Sequence, residues 1–413
     1  MKNLVLILCL LGAGACGDDG NNDATDGNNG DADAAVDTGD SGNDGGDLGG
    51  DIPEGDVAPD APDPPELPPM PWSVDAPGHY PVGFTTGEVT YNADGVGERT
   101  LRLAYWYPTF DEVGGGQYQV YARPEVHMNA PPAHTEPLPV LVFSHGSTSF
   151  AEQSFFMTEF FASHGFIVVA PDHTGNTYFD GGIPTETFEF RPMDITAVLD
   201  HVEGLPEDHL LHGLFSDEIV MSGHSFGGYT TLANAGAAYS VDAFIEECGA
   251  GGTNSFCERL EVQGVEARFR AGFGDPRIKA AIPQAPFGGP VFMDGVADID
   301  IPVLLMTGRV DITLPPEQDG DPIWAGLDGE SDLRVDFHTA GHFTFSNACQ
   351  IAPGLIGQDD GCGPEFIGPE RAFQAINAYS LAFTRYHVLG DDTDLDLLLG
   401  ERDFGNDIEL FSK

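Results

Sequence analysis

Residues 219–230 read IVMSGHSFGGYT, and this stretch indicates the fold of the chain. Apolar residues run into Ser225, and Gly223 and Gly227 stand two positions away on either side. The segment before the serine, DEIVMSG, has the pattern of a buried strand, and the segment after it, FGGYTTLANAGAAY, is small and helical. We therefore predict that Ser225 lies at a sharp strand-to-helix turn, with its hydroxyl exposed at the carboxyl end of the strand.

Strand and helix patterns alternate along the rest of the chain. Five segments have the pattern of strands: PLPVLVFSH, FIVVAPDHTG, RIKAAIPQAP, IPVLLMTG and DLRVDFHT. Three have the pattern of helices: AEQSFFMTEFFASHG, RPMDITAVLDHVEGL and residues 369–389. Near the start, GEVTYNADG and ERTLRLAYWYP form a predicted hairpin through Asp94 and Gly95. This order predicts an α/β fold with a mostly parallel central sheet flanked by helices.

The amino terminus predicts export. Residues 1–16, MKNLVLILCLLGAGAC, contain an apolar run that is too short to span a bilayer and end in small residues, as a signal peptide does. LLGAGAC resembles a bacterial lipobox, in which Cys16 is lipidated after cleavage; ordinary cleavage after Ala15 is the alternative. We expect lipidation, because loss of Cys9 and use of Cys16 leave an even number of cysteines, which suits an oxidising compartment.

Composition separates a linker from a folded domain. Residues 17–71 are rich in Asp, Gly, Asn and Pro and contain no Lys or Arg, so we predict a disordered acidic linker that spaces residues 72–413 from a membrane. The formal net charge of the chain is −51, which argues against nucleic acid as a partner because phosphates would be repelled.

A serine nucleophile needs a base and a carboxylate that orients the base. In folds with this turn, the acid and then the histidine follow the serine in the chain. His342, in TAGHFTFSN, is the candidate base because it follows a strand, whereas His338 is assigned to that strand and His224 to the serine motif.

The candidate acid is Asp311, which follows the apolar strand in IPVLLMTGRVDITLPP. The competing carboxylates precede that strand, and we interpret them as solvated loop charges: Asp294, Asp298 and Asp300.

An acyl-transfer site also needs two fixed donors for the oxyanion. We expect the backbone N–H of Phe226 to be one donor and Ser147, in the loop FSHGSTSF, to supply the other, while His145 shapes that loop. The histidines show no paired spacing with a third ligand, so we expect no metal and no other cofactor.

Residues 239–275 form a poorly periodic insertion after the nucleophile helix. We interpret it as a cap or rim element over the site, with a surface embellishment as the alternative. Four cysteines allow three pairings, of which we favour the sequence-local one, Cys248 with Cys257 and Cys349 with Cys362.

Several motifs in order resemble the bacterial α/β hydrolases grouped around dienelactone hydrolase and platelet-activating factor acetylhydrolase. These motifs are VFSHGSTSF, FASHGFIVVAPDHTGNT, RPMDITAVLDHV, GHSFGGYTTL and AGHFTF, and the likeness covers about residues 81–389. It implies an α/β-hydrolase fold and a serine hydrolase. A serine in place of a cysteine nucleophile argues against dienelactone as the substrate.

Two positions bear on the substrate. The acetylhydrolases place their acid after the strand AAIPQAP, where this chain has Gln284, so a phospholipid substrate is disfavoured. Cutinase-like polyester hydrolases place the acid one strand later, as Asp311 is placed here, and have an aromatic residue near the site at the position of Phe287.

We therefore expect a secreted or lipid-anchored serine carboxylic ester hydrolase that acts on a small-molecule or polymeric ester. The alternatives are an acetylhydrolase-like lipase, a cutinase-like polyester hydrolase, a peptidase, and a surface binding lipoprotein that retains only the scaffold.

Overall fold

A computed structural model describes residues 67–111, 114–180, 182–250 and 255–413. The predicted signal peptide, Cys16 and the linker as far as residue 66 lie outside the described residues. The predicted catalytic domain, 72–413, falls within them apart from the short gaps.

The described strands form a sheet of ten in the order β12-β11-β10-β9-β8-β6-β7-β2-β1-β5, and β3 pairs with β4 separately. Their bounds are β1 Val82–Ala93, β2 Gly97–Pro108, β3 Gly116–Gln117, β4 Ala122–Arg123, β5 Val126–Met128, β6 Leu138–Ser144, β7 Ile167–Pro171, β8 Phe215–His224, β9 Ile278–Gln284, β10 Leu304–Gly308, β11 Leu333–Phe337 and β12 Ile408–Ser412.

Helices connect and cover these strands. Their bounds are α1 Phe155–Ser163, α2 Thr187–Glu203, α3 Phe226–Ala235, α4 Val241–Gly249, α5 Ser255–Leu260, α6 Val265–Ala271, α7 Gly289–Phe292, α8 Gly320–Gly326, α9 Ala348–Ile351, α10 Pro369–Thr384 and α11 Leu395–Leu398. Short 3₁₀ helices span Met293–Asp298 and His342–Phe345, and a π-helical turn at Arg385–Leu389 extends α10.

The central strands β6 to β11 run parallel to one another. Five of them are buried along most of their length, as strands covered by helices on both faces must be. Residues of α1 and α10 pack in one apolar cluster, and those of α2 and α3 pack in two others. The loops that follow β6, β8, β10 and β11 therefore meet at one edge of the sheet.

Antiparallel strands extend this sheet on both sides. The hairpin of β1 and β2 turns through Gly95, with φ +70°, at the Asp94–Gly95 pair expected from the sequence. The carboxyl-terminal strand β12 pairs with β11 and was not predicted, because its short IELFS run gives only a weak strand pattern.

The insertion at 239–275 contains the three helices α4, α5 and α6, although its sequence pattern gave no clear helix period. A disulfide joins Cys248 to Cys257 within it, and a second joins Cys349 to Cys362 after the last parallel strand. Each bridge links cysteines that are close in sequence, 9 and 13 residues apart.

Candidate active site

The turn between β8 and α3 holds Ser225 in a strained backbone conformation, with φ +60° and ψ −119°. The glycines on either side permit it, because a side chain there would collide with backbone. A Cβ on Gly223 would lie 2.4 Å from the carbonyl oxygen of Gly227, and one on Gly227 would lie 1.9 Å from that of Ser144. The sequence therefore needs glycine at both positions to bring strand, serine and helix so close together.

Three side chains from separate loops meet at this turn. His342, just after β11, has its Nε2 2.9 Å from Ser225 Oγ and its Nδ1 2.8 Å from Asp311 Oδ2. Asp311 follows β10, and its second oxygen accepts a hydrogen bond of 2.6 Å from the N–H of Leu314. With Nδ1 donating to the carboxylate, Nε2 is free to accept the serine proton.

The electrostatics of the site favour a charged imidazole. Burial lowers the pKa of His342, but the carboxylate of Asp311 acts against burial. Asp360 and Asp319 add to this effect, and the pKa is raised above the ordinary 6.5. The pocket therefore stabilises the imidazolium that would form when the serine loses its proton.

The loop after β6 runs beside the serine. A Cβ on Gly146 would lie 3.5 Å from Ser225 Cβ, so the loop that continues into Ser147 lies against the serine turn. The Ser147 hydroxyl accepts a hydrogen bond of 3.2 Å from Asn176 Nδ2. Phe226 is the first residue of α3, and its N–H therefore lies at the helix start where backbone donors face outward.

A hydrogen-bonded chain of side chains, which the sequence analysis did not predict, links this loop to the candidate base. Gln153 Oε1 accepts from the N–H of Gly146 at 2.8 Å, and Gln153 Nε2 donates to His224 Nδ1 at 3.0 Å. His224 Nε2 then donates to the carbonyl oxygen of His342 at 2.9 Å. Burial holds the pKa of His224 well below its usual range, which keeps the ring neutral and able to accept from Gln153.

Aromatic rings form an apolar wall next to the serine. Phe287 donates its N–H to the carbonyl oxygen of Ser225 at 3.1 Å, and its ring is stacked on Phe226 with centroids 5.8 Å apart. Phe188, at the start of α2, packs edge-on against Phe226 at 5.1 Å. Leu260 and Phe273 of the insertion pack against the same cluster.

Ion pairs join the insertion to this rim. Arg259 and Arg268 both pair with Glu189 in the first turn of α2, and Arg268 Nη2 lies 2.7 Å from Glu189 Oε1. Arg259 also donates to the carbonyl oxygen of Gly95 in the hairpin of β1 and β2 at 3.3 Å. The insertion therefore contacts the same edge of the sheet that carries Ser225.

Two kinds of feature are absent from the described residues. No group of three or more His, Cys, Asp or Glu side chains there is arranged to hold a metal ion. Within that part of the chain, no helix has the length and apolar character needed to cross a bilayer.

Comparison with known proteins identifies the class. The model of the alpha/beta hydrolase family matches residues 141–397, well over half of the chain, so the chain belongs to this family and is a hydrolase by class. The model of platelet-activating factor acetylhydrolase, isoform II, matches residues 79–180, which end before the serine motif. A search of curated proteins gave no match.

Among solved structures, a ferulic acid esterase from Streptomyces cinnamoneus is similar, with a TM-score of 0.60 and 21% sequence identity. The match covers 82% of this chain and 99% of that one. At this identity the likeness shows the fold, and the α/β-hydrolase fold expected from the sequence is confirmed.

Proposed function

We propose that this chain is an exported serine carboxylic ester hydrolase that acts through an acyl-serine intermediate. One observation carries the proposal: the continuous hydrogen-bonded line from Ser225 Oγ to His342 Nε2, at 2.9 Å, and from His342 Nδ1 to Asp311, at 2.8 Å. This line gives a hydroxyl what it needs to become a nucleophile, a base within reach and a carboxylate that fixes the base's tautomer.

The reaction follows from this geometry. Ser225 Oγ attacks the ester carbonyl as His342 Nε2 takes the hydroxyl proton, and the N–H of Phe226 and Ser147 stabilise the oxyanion. His342 then returns the proton to the departing alcohol, which leaves the acyl group on Ser225. Water, deprotonated by His342, releases the acid and restores the serine.

The aromatic wall favours an apolar or aromatic acyl group. Phe226 and Phe287 line the side of the serine turn, and Phe188 continues the same surface. An aromatic ester, of the kind that the name of the similar ferulic acid esterase indicates, would stack there, as would the repeating ring of an aromatic polyester.

Export is part of the proposal. Two disulfides are compatible with an oxidising compartment outside the cytosol. Lipidation of Cys16 would anchor the enzyme to the cell envelope, and mass spectrometry of the mature amino terminus from the native host would detect a diacylglyceryl cysteine.

The test is turnover of p-nitrophenyl acetate by the wild type and by Ser225→Ala. We expect the variant to lose about 10⁴-fold or more in kcat, because no other nucleophile replaces the hydroxyl. Ser144→Ala is the matched control, since Ser144 is also bonded to a histidine but is fully buried. Retained turnover in purified Ser225→Ala would refute the mechanism.

A substrate panel then separates the alternatives. It contains short acyl esters, a ferulate ester, a triglyceride, a platelet-activating factor analogue, an aromatic polyester and aminoacyl amides. We expect turnover of the short acyl esters and of the ferulate ester, and none of the aminoacyl amides. Preferred turnover of the triglyceride or the platelet-activating factor analogue would favour the lipase alternative, and preferred turnover of the polyester would favour the cutinase-like one. A folded chain that turns over no member of the panel would favour the binding lipoprotein instead.

A further inference from the structure

Asp360 lies between the loop that carries Asp311 and the loop that carries His342. Its Oδ1 accepts hydrogen bonds from the N–H of His342 at 2.8 Å and from that of Ile312 at 3.1 Å. Its Oδ2 accepts from the N–H of Thr313 at 3.0 Å and from the Thr313 hydroxyl at 2.7 Å. A single buried carboxylate thus joins the residues directly after the candidate acid to the backbone of the candidate base.

The chain around Asp360 is itself held tightly. The carbonyl oxygen of Asp360 accepts from the N–H of Phe343 at 2.9 Å, so the segment also pairs with the base loop through its backbone. Gly341 allows this approach, because a Cβ there would lie 2.4 Å from the carbonyl carbon of Asp360. Two residues further on, Cys362 is tied by its disulfide to Cys349, which lies in the helix following the base loop.

We propose that Asp360 is a positioning residue for the hydrolytic reaction, and that the Cys349–Cys362 disulfide holds it in place. By joining the two loops, the carboxylate of Asp360 sets the separation of Asp311 from His342. It thereby sets the orientation of the His342 imidazole toward Ser225. This inference rests on the proposed function. Removal of the Asp360 carboxylate nevertheless acts first on His342 itself, and that effect can be measured without substrate.

Asp360 acts on His342 through its charge as well as through its hydrogen bonds. The titratable groups that face His342 are Asp311 in direct contact, Asp319 and Asp360 nearby, and the neutral ring of His224, whose centroid is 4.7 Å away. Among these, Asp360 is one of the carboxylates that raise the pKa of His342. Its removal therefore lowers the pKa of His342, while a purely structural lesion elsewhere leaves that pKa unchanged.

The main test is Asp360→Asn, which keeps the size of the side chain but removes the charge and turns an amide toward Thr313. We expect kcat for p-nitrophenyl acetate to fall about 10- to 100-fold, as for a small misplacement of a reacting group, with KM little changed. We expect the acid limb of the pH profile of kcat to move to lower pH.

Asp332→Asn is the matched control. Asp332 is also a buried carboxylate that accepts from backbone N–H groups, those of Val303 and Gly329, but it lies at the opposite edge of the sheet, where β10 and β11 begin. We expect it to lower stability without moving the pH profile.

Two further variants keep the test valid if Asp360→Asn does not fold. Thr313→Val removes one of the four hydrogen bonds and keeps the charge, so kcat should fall several-fold with no shift of the pH profile. Replacement of Cys349 and Cys362 by serine should lower kcat about tenfold, whereas the same change at Cys248 and Cys257 in the insertion should not.

The readout that separates this inference from the proposed function is an NMR titration of His342, assigned by comparison with His342→Gln. A lower pKa of His342 in Asp360→Asn supports the inference whether or not any ester is hydrolysed. An unchanged pKa together with unchanged kcat in Asp360→Asn, or equal losses in Asp360→Asn and Asp332→Asn, would overturn it. If the wild type hydrolyses no ester, the proposed function fails and the titration still decides the role of Asp360.

Discussion

Two Ser–His–Asp arrangements lie among the described residues, and we propose catalysis for one of them. In the first, Ser225, His342 and Asp311 are joined at 2.9 and 2.8 Å. In the second, Ser144 Oγ lies 3.0 Å from His173 Nε2, and His173 Nδ1 lies 2.8 Å from Asp194 Oδ2. Hydrogen-bond lengths therefore do not distinguish the two sets, and the distinction must lie in their surroundings.

Access is the first difference. Ser144 lies at the end of β6 and is completely buried, as are His173 and Asp194. Ser225 is 9% exposed to solvent and lies on a strained turn that lifts its hydroxyl out of the sheet. A substrate carbonyl can therefore reach the hydroxyl of Ser225 but not that of Ser144.

Charge is the second difference, and it acts on the two imidazoles in opposite directions. Burial and the nearby guanidinium groups of Arg191 and Arg99 hold the pKa of His173 well below its usual range. The pKa of His342 is raised, because carboxylates surround it. Asp194 is paired with Arg99 at 2.7 Å, and the positive charge of this guanidinium opposes the effect of the carboxylate on the His173 imidazole.

These differences assign separate roles to the two sets. The set of Ser144, His173 and Asp194 satisfies buried polar groups and joins β6 to α2 through His173. The set of Ser225, His342 and Asp311 has the exposure and the charge distribution that proton transfer needs.

The largest expected effect comes from exchanging the two aspartates for asparagine. In Asp311→Asn the amide donates to His342 Nδ1, which forces the proton onto Nε2, so the ring no longer accepts from Ser225. We expect a loss of about 10⁴-fold in kcat with a small change in the free energy of unfolding, measured by turnover and urea denaturation.

Asp194→Asn should show the reverse. It leaves the Arg99 guanidinium, whose side chain is only 9% exposed, without its bidentate partner and weakens the hydrogen bond from Tyr91. We expect the free energy of unfolding to fall by about 3–5 kcal/mol while kcat of the folded variant changes little. Similar kcat losses in both variants would remove the distinction between the two sets.

A smaller effect is expected in the pH profile of the wild type. The base must be neutral to accept a proton, so kcat/KM falls as the pH drops through the pKa of His342. Because that pKa is raised, the midpoint of the acid limb should lie above 6.5. A midpoint below 6.5 would indicate a base in surroundings like those of His173.

Much of the fold and of the candidate site could be predicted from the sequence. The glycines around Ser225 are needed by sterics alone, and loops after parallel strands must meet at one edge of the sheet, which brings Asp311 and His342 to the serine. These inferences need only short stretches of sequence and the topology.

Asp360 and Gln153 could not be predicted in this way. Asp360 lies in a glycine-rich turn 18 residues after His342, and nothing in the local pattern shows that the turn folds back onto two other loops. The helices of the insertion were missed for a related reason, since their packing on Glu189 and the aromatic cluster outweighs a weak helical period. The roles of Arg191 and Asp194, inside the RPMDITAVLDHV motif, could not be predicted either, because both residues bond to the buried Ser144 and His173 only in the folded chain.

Labelling of the wild-type protein with a fluorophosphonate, followed by peptide mass spectrometry to locate the adduct, tests whether Ser225 is the nucleophile. We predict one modified serine, Ser225, with Ser144 unmodified in the same sample. An adduct on a different residue, or ester hydrolysis by a protein whose Ser225 stays unlabelled, would contradict it.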